Sequence, residues 1–398
     1  MFFSKKTKGF FVESSDHAVF LGRTSHLVAP FTIEDLRECP PDDSEALAEA
    51  ISQVYPGKNA GGYLHATVGV YPEKRLVRRH SVEVRRIKEP SYFAEVCSQQ
   101  FRIEQDKFSL AIINANDGSD FDAAKAQQKE VIFCGLPTDE SDAVQKGLLD
   151  NKIYPERLEL GSIATLGAVV EWLAFTKSKT PTLVLEISAE STHSFIVTAS
   201  GVEASRPIPQ GLKSMIPIVQ KELGLKDEEA ARKLFYSNTF DFTGMGPLLI
   251  KRFLKELQSS IGFYEVQTGQ SVGQMVSTQL PAKLVWLDRA ISGALGITSA
   301  KIDPVPWLKA LQITIPENLL RHAQDARYLG LLALMVQHHV SHAVPAEEKK
   351  INRWAPSQFP TGTRTSVILK SCLISRLSGP LSSLMLVRFP FCSFWPLF

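Results

Sequence analysis

The sequence predicts an alternating α/β protein built from two similar halves. Each half opens with two short apolar strands joined by a polar turn, first near residues 10–21 and again, about 175 residues later, near 182–198. The 398 residues suffice for about 2.7 domains, and 44% hydrophobic residues allow a sizeable buried core. Charged residues make up 22%, near the globular average, which excludes a mainly disordered or fibrous chain.

In the first half, apolar runs and helical periodicity define the elements in order. Strands are predicted at 10–12 and 18–21, with the polar stretch 13–17 as the turn between them. Asp42 or Ser44 is placed to cap a helix over 43–54. The elements predicted next are strands at 64–70 and 76–84, a helix at 91–100, a strand at 108–114, a helix at 120–128, a strand at 130–134, a helix at 139–149, a strand at 158–160 and a helix at 161–175.

The second half repeats the opening pattern and continues with helices. Thr182–Ile187 is a strongly apolar strand, and strands at 194–198 and 202–208 follow it across short polar turns. Helical patterns dominate 212–265. The predictions that remain are a buried strand at 283–287 and helices at 288–295 and 322–340.

Net charge and cysteines narrow the classes of function. Lys and Arg total 44 against 42 Asp and Glu, so no global field attracts nucleic acid, and no recognised nucleic-acid module is found. The five cysteines are scattered without metal-ligand spacing, which predicts no metal site and favours a reducing compartment. The motifs of P-loop nucleotidases, common hydrolases and zinc proteases are absent, so no catalytic residue is predicted.

The two ends of the chain differ from its body. The N-terminus carries lysines without a following apolar h-region, which argues against a secretory signal. Residues 351–398 contain no acidic residue, whereas the chain-wide rate, 42/398 × 48, predicts about five. We expect 345–398 to be an atypical, poorly packed tail. A membrane-associating segment at 377–398 is the alternative, opposed by Arg388 and three prolines.

Short motifs in the second half resemble the PilM/FtsA group of actin-like proteins. The turn Glu186-Ile-Ser-Ala-Glu-Ser-Thr192 resembles the group's phosphate loop, Asp-Ile-Gly-Ala-x-x-Thr. The resemblance extends over roughly residues 9–340. Further matches occur in the group's order at Arg206-Pro-Ile-Pro-Gln-Gly211, Lys221-Glu-Leu-Gly-Leu-Lys-Asp-Glu-Glu-Ala-Ala-Arg232, Leu254-Lys-Glu-Leu-Gln-Ser-Ser-Ile-Gly-Phe-Tyr-Glu265 and Asp325-Ala-Arg-Tyr-Leu-Gly-Leu-Leu-Ala-Leu334.

The resemblance implies a bilobed actin-like fold, of the duplicated ribonuclease H-like type, with an inserted α+β subdomain. It implies a cytoplasmic scaffold, peripheral to the inner membrane, in a type IV pilus or type II secretion-like assembly platform. The implied partner is a PilN-like membrane protein whose N-terminal peptide binds a groove formed with the insert; self-association is left open. The implied divisions are 1–60 (first part of lobe I), 61–150 (inserted subdomain), 151–180 (return to lobe I), 181–320 (lobe II), 321–344 (closing helix) and 345–398 (tail).

The turns expected to bind nucleotide phosphates depart from the group's pattern. When the group's first turn, Asp-x-Gly-Ser-Ser, is aligned on the two serines after residue 13, Phe11 stands at the Asp position and Glu13 at the Gly position. In the second turn, Glu186 stands at the Asp position and Ser188 at the Gly position. A Cβ at a glycine position blocks the close approach of backbone N–H groups to phosphate. Residues 286–290 stand where the group's adenosine-binding Gly-Gly is expected.

Two hypotheses from different functional classes follow. The first is a pseudo-ATPase scaffold without a cofactor, which binds an extended peptide between its lobes. The alternative is an active actin-like ATPase or a related small-molecule kinase, with Mg²⁺ and ATP held by an altered route through Glu186 and Glu190. The residues assigned to the two altered loops are Glu13, Ser14, Ser15, Glu186, Ser188, Glu190 and Thr192.

A basic run surrounds the predicted strand 76–84. We expect it to be a solvated strand face that protects a sheet edge. The alternative is a docking surface for an acidic peptide or for anionic lipid headgroups. Its members are Lys74, Arg75, Arg78, Arg79, Arg85, Arg86 and Lys88, set against Glu73 and Glu83.

Overall fold

Strands and helices alternate throughout the part of the chain that the computed structural model describes, residues 8–55, 62–123, 129–237 and 239–342. The strands are β1 (Gly9–Ser14), β2 (Val19–Thr24), β3 (Phe31–Cys39), β4 (Leu64–Val70), β5 (Leu76–Ser81), β6 (Phe108–Asn114), β7 (Glu130–Pro137), β8 (Ile153–Leu160), β9 (Thr182–Ile187), β10 (Thr192–Thr198), β11 (Gly201–Ile208), β12 (Gln274–Thr278), β13 (Thr298–Ser299) and β14 (Ile313–Thr314). The helices are α1 (Ser44–Val54), α2 (Tyr92–Val96), α3 (Thr138–Asp150), α4 (Gly161–Phe175), α5 (Ile216–Glu222), α6 (Glu228–Phe235), α7 (Gly246–Leu249), α8 (Lys251–Thr268), α9 (Trp286–Leu295), α10 (Val305–Ala310), α11 (Leu320–Ala323) and α12 (Leu329–His342).

Two sheets share one strand order, so the halves are structural duplicates. The first sheet runs β14-β3-β2-β1-β4-β8 and the second runs β11-β10-β9-β12-β13. In each, the opening strand (β1 or β9) pairs antiparallel with the next strand and parallel with the fourth (β4 or β12). This duplication confirms the bilobed actin-like fold. We call the first sheet with its helices the first lobe, and the second sheet with its helices the second lobe.

A third, antiparallel sheet is inserted between β4 and β8 of the first lobe. Its order is β5-β7-β6, and α2 packs on it through a small apolar cluster that includes Tyr92 and Phe133. We call this unit the insert. The division assigned from the sequence differs in two places. β4 lies in the range 61–150 assigned to the insert but pairs in the first sheet. β14 lies in the range 181–320 assigned to lobe II but pairs with β3 of the first sheet.

The helices α4 and α12 lie between the two large sheets and form the centre of the main core. α4 is buried on almost every side, and its apolar residues pack with those of α12 against both sheets. In this core, Phe11 and Phe20 come from the first sheet, and Phe195 comes from the second. α12 approaches the first sheet closely at Gly69, where a Cβ would lie 2.8 Å from Leu334. On the outer faces, α1 and α3 cover the first sheet, and α5 to α9 cover the second.

The predicted strand at 283–287 is wrong. These residues form a 3-10 turn and the beginning of α9, and the strand that pairs in parallel with β9 is β12. Leu284 and Leu287 are both buried, at a spacing of three that suits a helical turn facing the core. A short apolar run cannot distinguish a buried strand from a buried helical segment by periodicity. The polar Ser277 and Thr278 also weaken the sequence signal of β12.

Other predicted boundaries differ by a few residues. β5 ends before Val84, which is exposed, and Asp43 rather than Asp42 or Ser44 caps α1. β3 has no counterpart among the predicted strands. Of the predicted helix 120–128, residues 120–123 are not helical and 124–128 lie, like the tail 345–398, outside the described residues.

Candidate functional site

The two polar turns meet where β1 and β9 end. Each turn is closed by one backbone hydrogen bond to a carbonyl three residues later, from Ser15 N (3.1 Å) and from Ser188 N (2.9 Å). Across the interface, Ala189 N lies 3.4 Å from Asp16 Oδ2, so the turns are in direct contact. Both turns therefore face one cleft, as the bilobed fold predicts.

The closing hydrogen bonds show which residues of the two turns are equivalent. Ser15 corresponds to Ser188, so Glu13 corresponds to Glu186, each two residues before its serine. Both turns therefore read Glu-x-Ser where the group's pattern reads Asp-x-Gly. The alignment that placed Phe11 at the carboxylate position is shifted by two residues. Phe11 is instead a buried residue of the core between the sheets.

Glu13 is fully buried at the N-terminus of α12. Its Oε1 accepts hydrogen bonds from the Tyr71 hydroxyl (2.8 Å) and from Gln279 Nε2 (2.9 Å), and the backbone N–H of Leu331 also bonds the carboxyl group. Gly330 leaves room for this carboxyl, since a Cβ there would collide with Glu13 Oε1. Burial raises the pKa of Glu13 from the usual 4.5 to about 7, against the opposing effect of these hydrogen bonds.

Glu186 is buried at the N-terminus of α4, in the matching position. Its Oε2 accepts hydrogen bonds from Ser162 Oγ (2.6 Å) and Arg75 Nη2 (3.0 Å). The side chains of Glu186 and Arg75 are both completely buried, with 0% exposed. Each of the two central helices thus begins beside one buried glutamate, where the helix dipole favours negative charge.

Arg75 extends from the segment between β4 and β5 to the second lobe. Besides Glu186, its guanidinium donates to Ser162 Oγ (3.0 Å) and to the carbonyl oxygens of Tyr71 (3.4 Å) and Pro72 (3.0 Å). A single arginine therefore joins the backbone of its own segment, the first turn of α4 and a carboxylate of the second lobe.

Tyr71 covers the beginning of α4 and supplies a buried hydroxyl. Its ring lies against Gly161, where a Cβ would collide with it, and its hydroxyl lies 3.0 Å from Thr165 Oγ1. Burial and then the charge of Glu13 raise the pKa of Tyr71 well above its usual value. The hydroxyl therefore stays protonated and acts as a hydrogen-bond donor to Glu13.

The hydroxyl-bearing residues predicted for the loops mainly stabilise the turns themselves. Ser15 Oγ donates to a carbonyl of its own turn (3.1 Å), and Thr192 Oγ1 donates to the Gln210 carbonyl (2.8 Å). Ser188 is buried, and its backbone N–H closes the second turn. Ser14 faces a cavity on the opposite side of the first sheet.

Mg-ATP, which the sequence left open, does not fit this arrangement. The carboxyl groups of Glu13 and Glu186 are buried, and the protein's own donors bond one oxygen of each, Glu13 Oε1 and Glu186 Oε2. The other two oxygens, Glu13 Oε2 and Glu186 Oε1, are buried without a hydrogen-bond partner among the described residues, and Arg75 occupies the space beside Glu186. Glu190, the second carboxylate of the altered Mg²⁺ route, is exposed and pairs with Lys213 Nζ at 2.6 Å. Within the residues that the structure describes, no group of three or more His, Cys, Asp or Glu is placed to hold a metal ion.

Sequence patterns do not single out Tyr71 and Gln279, and Arg75 belongs to the basic run that was expected to be solvated. Tyr71 follows β4 and Gln279 follows β12, at the carboxyl ends of parallel strands, where ligand sites of α/β sheets gather. A correct prediction of β12 would therefore have found Gln279. Residues 286–290, which the sequence alignment placed at the group's adenosine-binding Gly-Gly, begin α9 instead. Gln279, with φ 59°, is the residue that follows β12, the fourth strand of the second sheet.

The basic run is only partly a solvated face. Arg75 is buried in the cleft, and Arg78 is half-buried, with its guanidinium 5.7 Å from the centre of the Phe101 ring. Arg79 and Arg86 form ion pairs with neighbouring glutamates. The exposed members are Lys74, Arg85 and Lys88.

A cavity of about 290 Å³ opens beside the first turn, on the face of the first sheet that α1 and α3 cover. Tyr71 and Pro72 form its wall toward the cleft, and Ser14, Asp16 and Asn151 contribute polar groups to its lining. Most of the lining is apolar and includes Val12, Leu47, Val70, Val144, Leu148 and Ile153.

Comparisons with known proteins find similarity at the level of structure. No family model matches the chain, and no curated protein matches it. A chain of the PilM-PilN type IV pilus biogenesis complex matches with TM-score 0.62 and 16% identity, over 84% of this chain and 99% of that chain. The ethanolamine utilization protein EutJ from Carboxydothermus hydrogenoformans matches with TM-score 0.41 and 10% identity, over 83% and 90% of the two chains. A Bacteroides thetaiotaomicron protein with an actin-like ATPase fold matches with TM-score 0.40 and 10% identity, over 84% and 99%.

The TM-score of 0.62 with the chain of the PilM-PilN complex supports a shared fold. None of the helices in the described ranges is both long and apolar enough to cross a membrane. The likeness to a chain of the PilM-PilN complex, together with the duplicated sheet order, shows that this chain has the bilobed actin-like fold.

Proposed function

We propose that this chain is a PilM-like scaffold on the cytoplasmic side of an inner-membrane assembly platform, of the type IV pilus or type II secretion-like kind. It binds a segment of a membrane partner and does not hydrolyse ATP. The observation that carries the proposal is a nucleotide cleft filled by the buried Arg75–Glu186 ion pair, next to an open apolar cavity. The likeness in fold to a chain of the PilM-PilN complex supports the class of partner.

The filled cleft supports the loss of nucleotide binding. A triphosphate would have to displace Arg75 from Glu186 and bring its own charge close to buried carboxyl groups. Breaking one side of a buried ion pair costs about 3–5 kcal/mol. Two like unit charges about 4 Å apart repel by about 4 kcal/mol at an effective dielectric constant of ~20. Each of these costs exceeds the roughly 1.4 kcal/mol that changes affinity tenfold.

The cavity has the chemistry of a peptide groove. Its apolar wall suits the side chains of an extended peptide, and the exposed carboxylate of Asp16 favours a basic side chain or an N-terminal amine at the edge. α3, which forms one wall, begins directly after β7 of the insert, so the insert positions that wall. In this proposal the partner is PilN-like, a membrane protein that presents its N-terminal peptide to the cavity.

Site-specific cross-linking from inside the cavity tests this function. Benzoylphenylalanine in place of Val144, on the cavity side of α3, is expected to cross-link in host cells to the N-terminal segment of an inner-membrane protein, identified by mass spectrometry. The same probe at Phe263, an exposed position on α8 of the second lobe, serves as the control. Equal products at both positions, or no membrane protein at 144, would contradict the proposal.

A cavity-blocking variant gives the matching loss of function. A Cβ at Gly147 on α3 meets no atom within 4 Å, so Gly147→Trp fills the groove without a clash of its Cβ. We expect at least tenfold less partner recovered, with an unchanged melting temperature. Gly262→Trp on α8, another helical glycine with no atom within 4 Å of its Cβ, is expected to recover the wild-type amount.

A further inference from the structure

We propose that the segment 71–75, between β4 and β5, couples occupancy of the cavity to closure of the two lobes; this inference rests on the proposed peptide-binding function. On one side, Tyr71 and Pro72 form a wall of the cavity. On the other side, Tyr71 and Arg75 bond the carboxyl groups of Glu13 and Glu186 in the cleft. The same five residues therefore border both sites.

Two polar links between the lobes depend on this segment. The first is the ion pair from Arg75 to Glu186 of the second lobe. The second runs from Gln279 of the second lobe to Glu13 Oε1, the same oxygen that accepts the Tyr71 hydrogen bond. A displacement of Tyr71 therefore changes the surroundings of the second link directly.

The first link depends on the same backbone. Arg75 Nη1 donates to the carbonyl oxygens of Tyr71 and Pro72, so a shift of the cavity wall also moves two acceptors of the guanidinium. A peptide packed against Tyr71 and Pro72 orders this backbone and lowers the entropic cost of holding Arg75 on Glu186. By linkage, a closed cleft raises the affinity of the cavity for the peptide by the same factor.

Hydrogen exchange without any ligand tests the coupling inside the protein. The double variant Arg75→Met/Glu186→Met removes both charges, which avoids the stranded buried charge that a single change would leave. We expect amides in 71–75 and in the cavity wall of α3 to exchange at least fivefold faster than in the wild type. Arg86→Gln is the control, because Arg86 pairs with Glu89 and Glu95 inside the insert and does not line the cavity.

Peptide affinity gives the second readout. The probe is the synthetic peptide identified by cross-linking from position 144. Its dissociation constant is expected to rise about tenfold in the double variant, within the usual range of allosteric coupling, and to change less than twofold in Arg86→Gln. In the wild type, the peptide should also slow amide exchange in β9, which carries Glu186.

The outcomes separate this inference from the proposed function. Unchanged exchange and unchanged affinity in the double variant would overturn the coupling while leaving peptide binding intact. A wild type that binds no membrane-partner peptide would refute the proposed function, and the ligand-free exchange would still decide the coupling. If the double variant does not fold, Gln279→Ala removes only the link to Glu13 and should still accelerate exchange of 71–75 at least threefold.

Discussion

Two glutamates at equivalent positions of the duplicated fold, Glu13 and Glu186, are buried by different means. Glu186 has a guanidinium partner, so its negative charge is compensated. Glu13 has only neutral donors, and burial raises its pKa to about 7. A group with that pKa is about half protonated at neutral pH, so Glu13 changes its charge near pH 7 without leaving the core.

The first prediction concerns Glu13→Gln. In the unfolded chain this carboxyl group loses its proton near pH 4.5, whereas in the folded chain it keeps it up to about pH 7. The folded state thus binds the extra proton between these values, and the contribution of Glu13 to stability falls as the pH rises through this window. The difference in pKa corresponds to roughly 3 kcal/mol. The free energy of unfolding of Glu13→Gln, relative to that of the wild type, should therefore rise by up to about 3 kcal/mol from pH 5 to pH 8.

Urea denaturation at several pH values measures this difference. Glu222→Gln, a change at an exposed glutamate that ends α5, should show no comparable trend. A free-energy difference between Glu13→Gln and the wild type that stays constant from pH 5 to pH 8 would mean that Glu13 is ionised throughout and that its surroundings differ from those described.

At the scale of elements, the sequence predicts what local patterns determine. β4, β6, α4 and β9 have the predicted bounds, because long apolar periods and clear turn residues mark them. The sequence did not predict β12 because the end of this strand is polar. The strand was instead predicted at 283–287, where the structure has a buried helical turn. The Arg75–Glu186 ion pair joins residues 111 positions apart. No local pattern specifies such a contact. A charged residue in a basic run is expected to be solvated, and only the tertiary structure shows that Arg75 is buried.

Gly330→Ala tests the contact between α12 and β1. A Cβ at Gly330 would collide with Glu13 Oε1, and overpacking of this kind costs about 1–3 kcal/mol. In a Glu13→Ala background the collision disappears, and alanine should become neutral or stabilising, because it is the better helix former by about 1 kcal/mol. Gly293→Ala in α9, where a Cβ meets no atom within 4 Å, is the control and should not destabilise. Equal costs in both backgrounds, measured by urea denaturation, would refute this contact.

At the scale of the whole molecule, the two duplicated lobes differ in what surrounds their opening strands. The first lobe carries the insert and the apolar cavity, and the segment that leads into the insert supplies Tyr71 and Arg75 to the cleft. In the function that we propose, the protein's own side chains take the positions where an actin-like ATPase would bind phosphate and metal. Internal contacts then replace a bound nucleotide in the cleft.

Titration of the purified wild type with Mg-ATP tests whether the cleft has lost nucleotide binding. A ligand present at 100 times its dissociation constant stabilises a protein by about 2.7 kcal/mol, which a melting curve detects easily. We predict that millimolar Mg-ATP leaves the melting temperature unchanged and gives no heat of binding in calorimetry. Micromolar affinity for Mg-ATP, abolished by Glu186→Ala, would contradict the account and make Glu186 a working metal-directed residue.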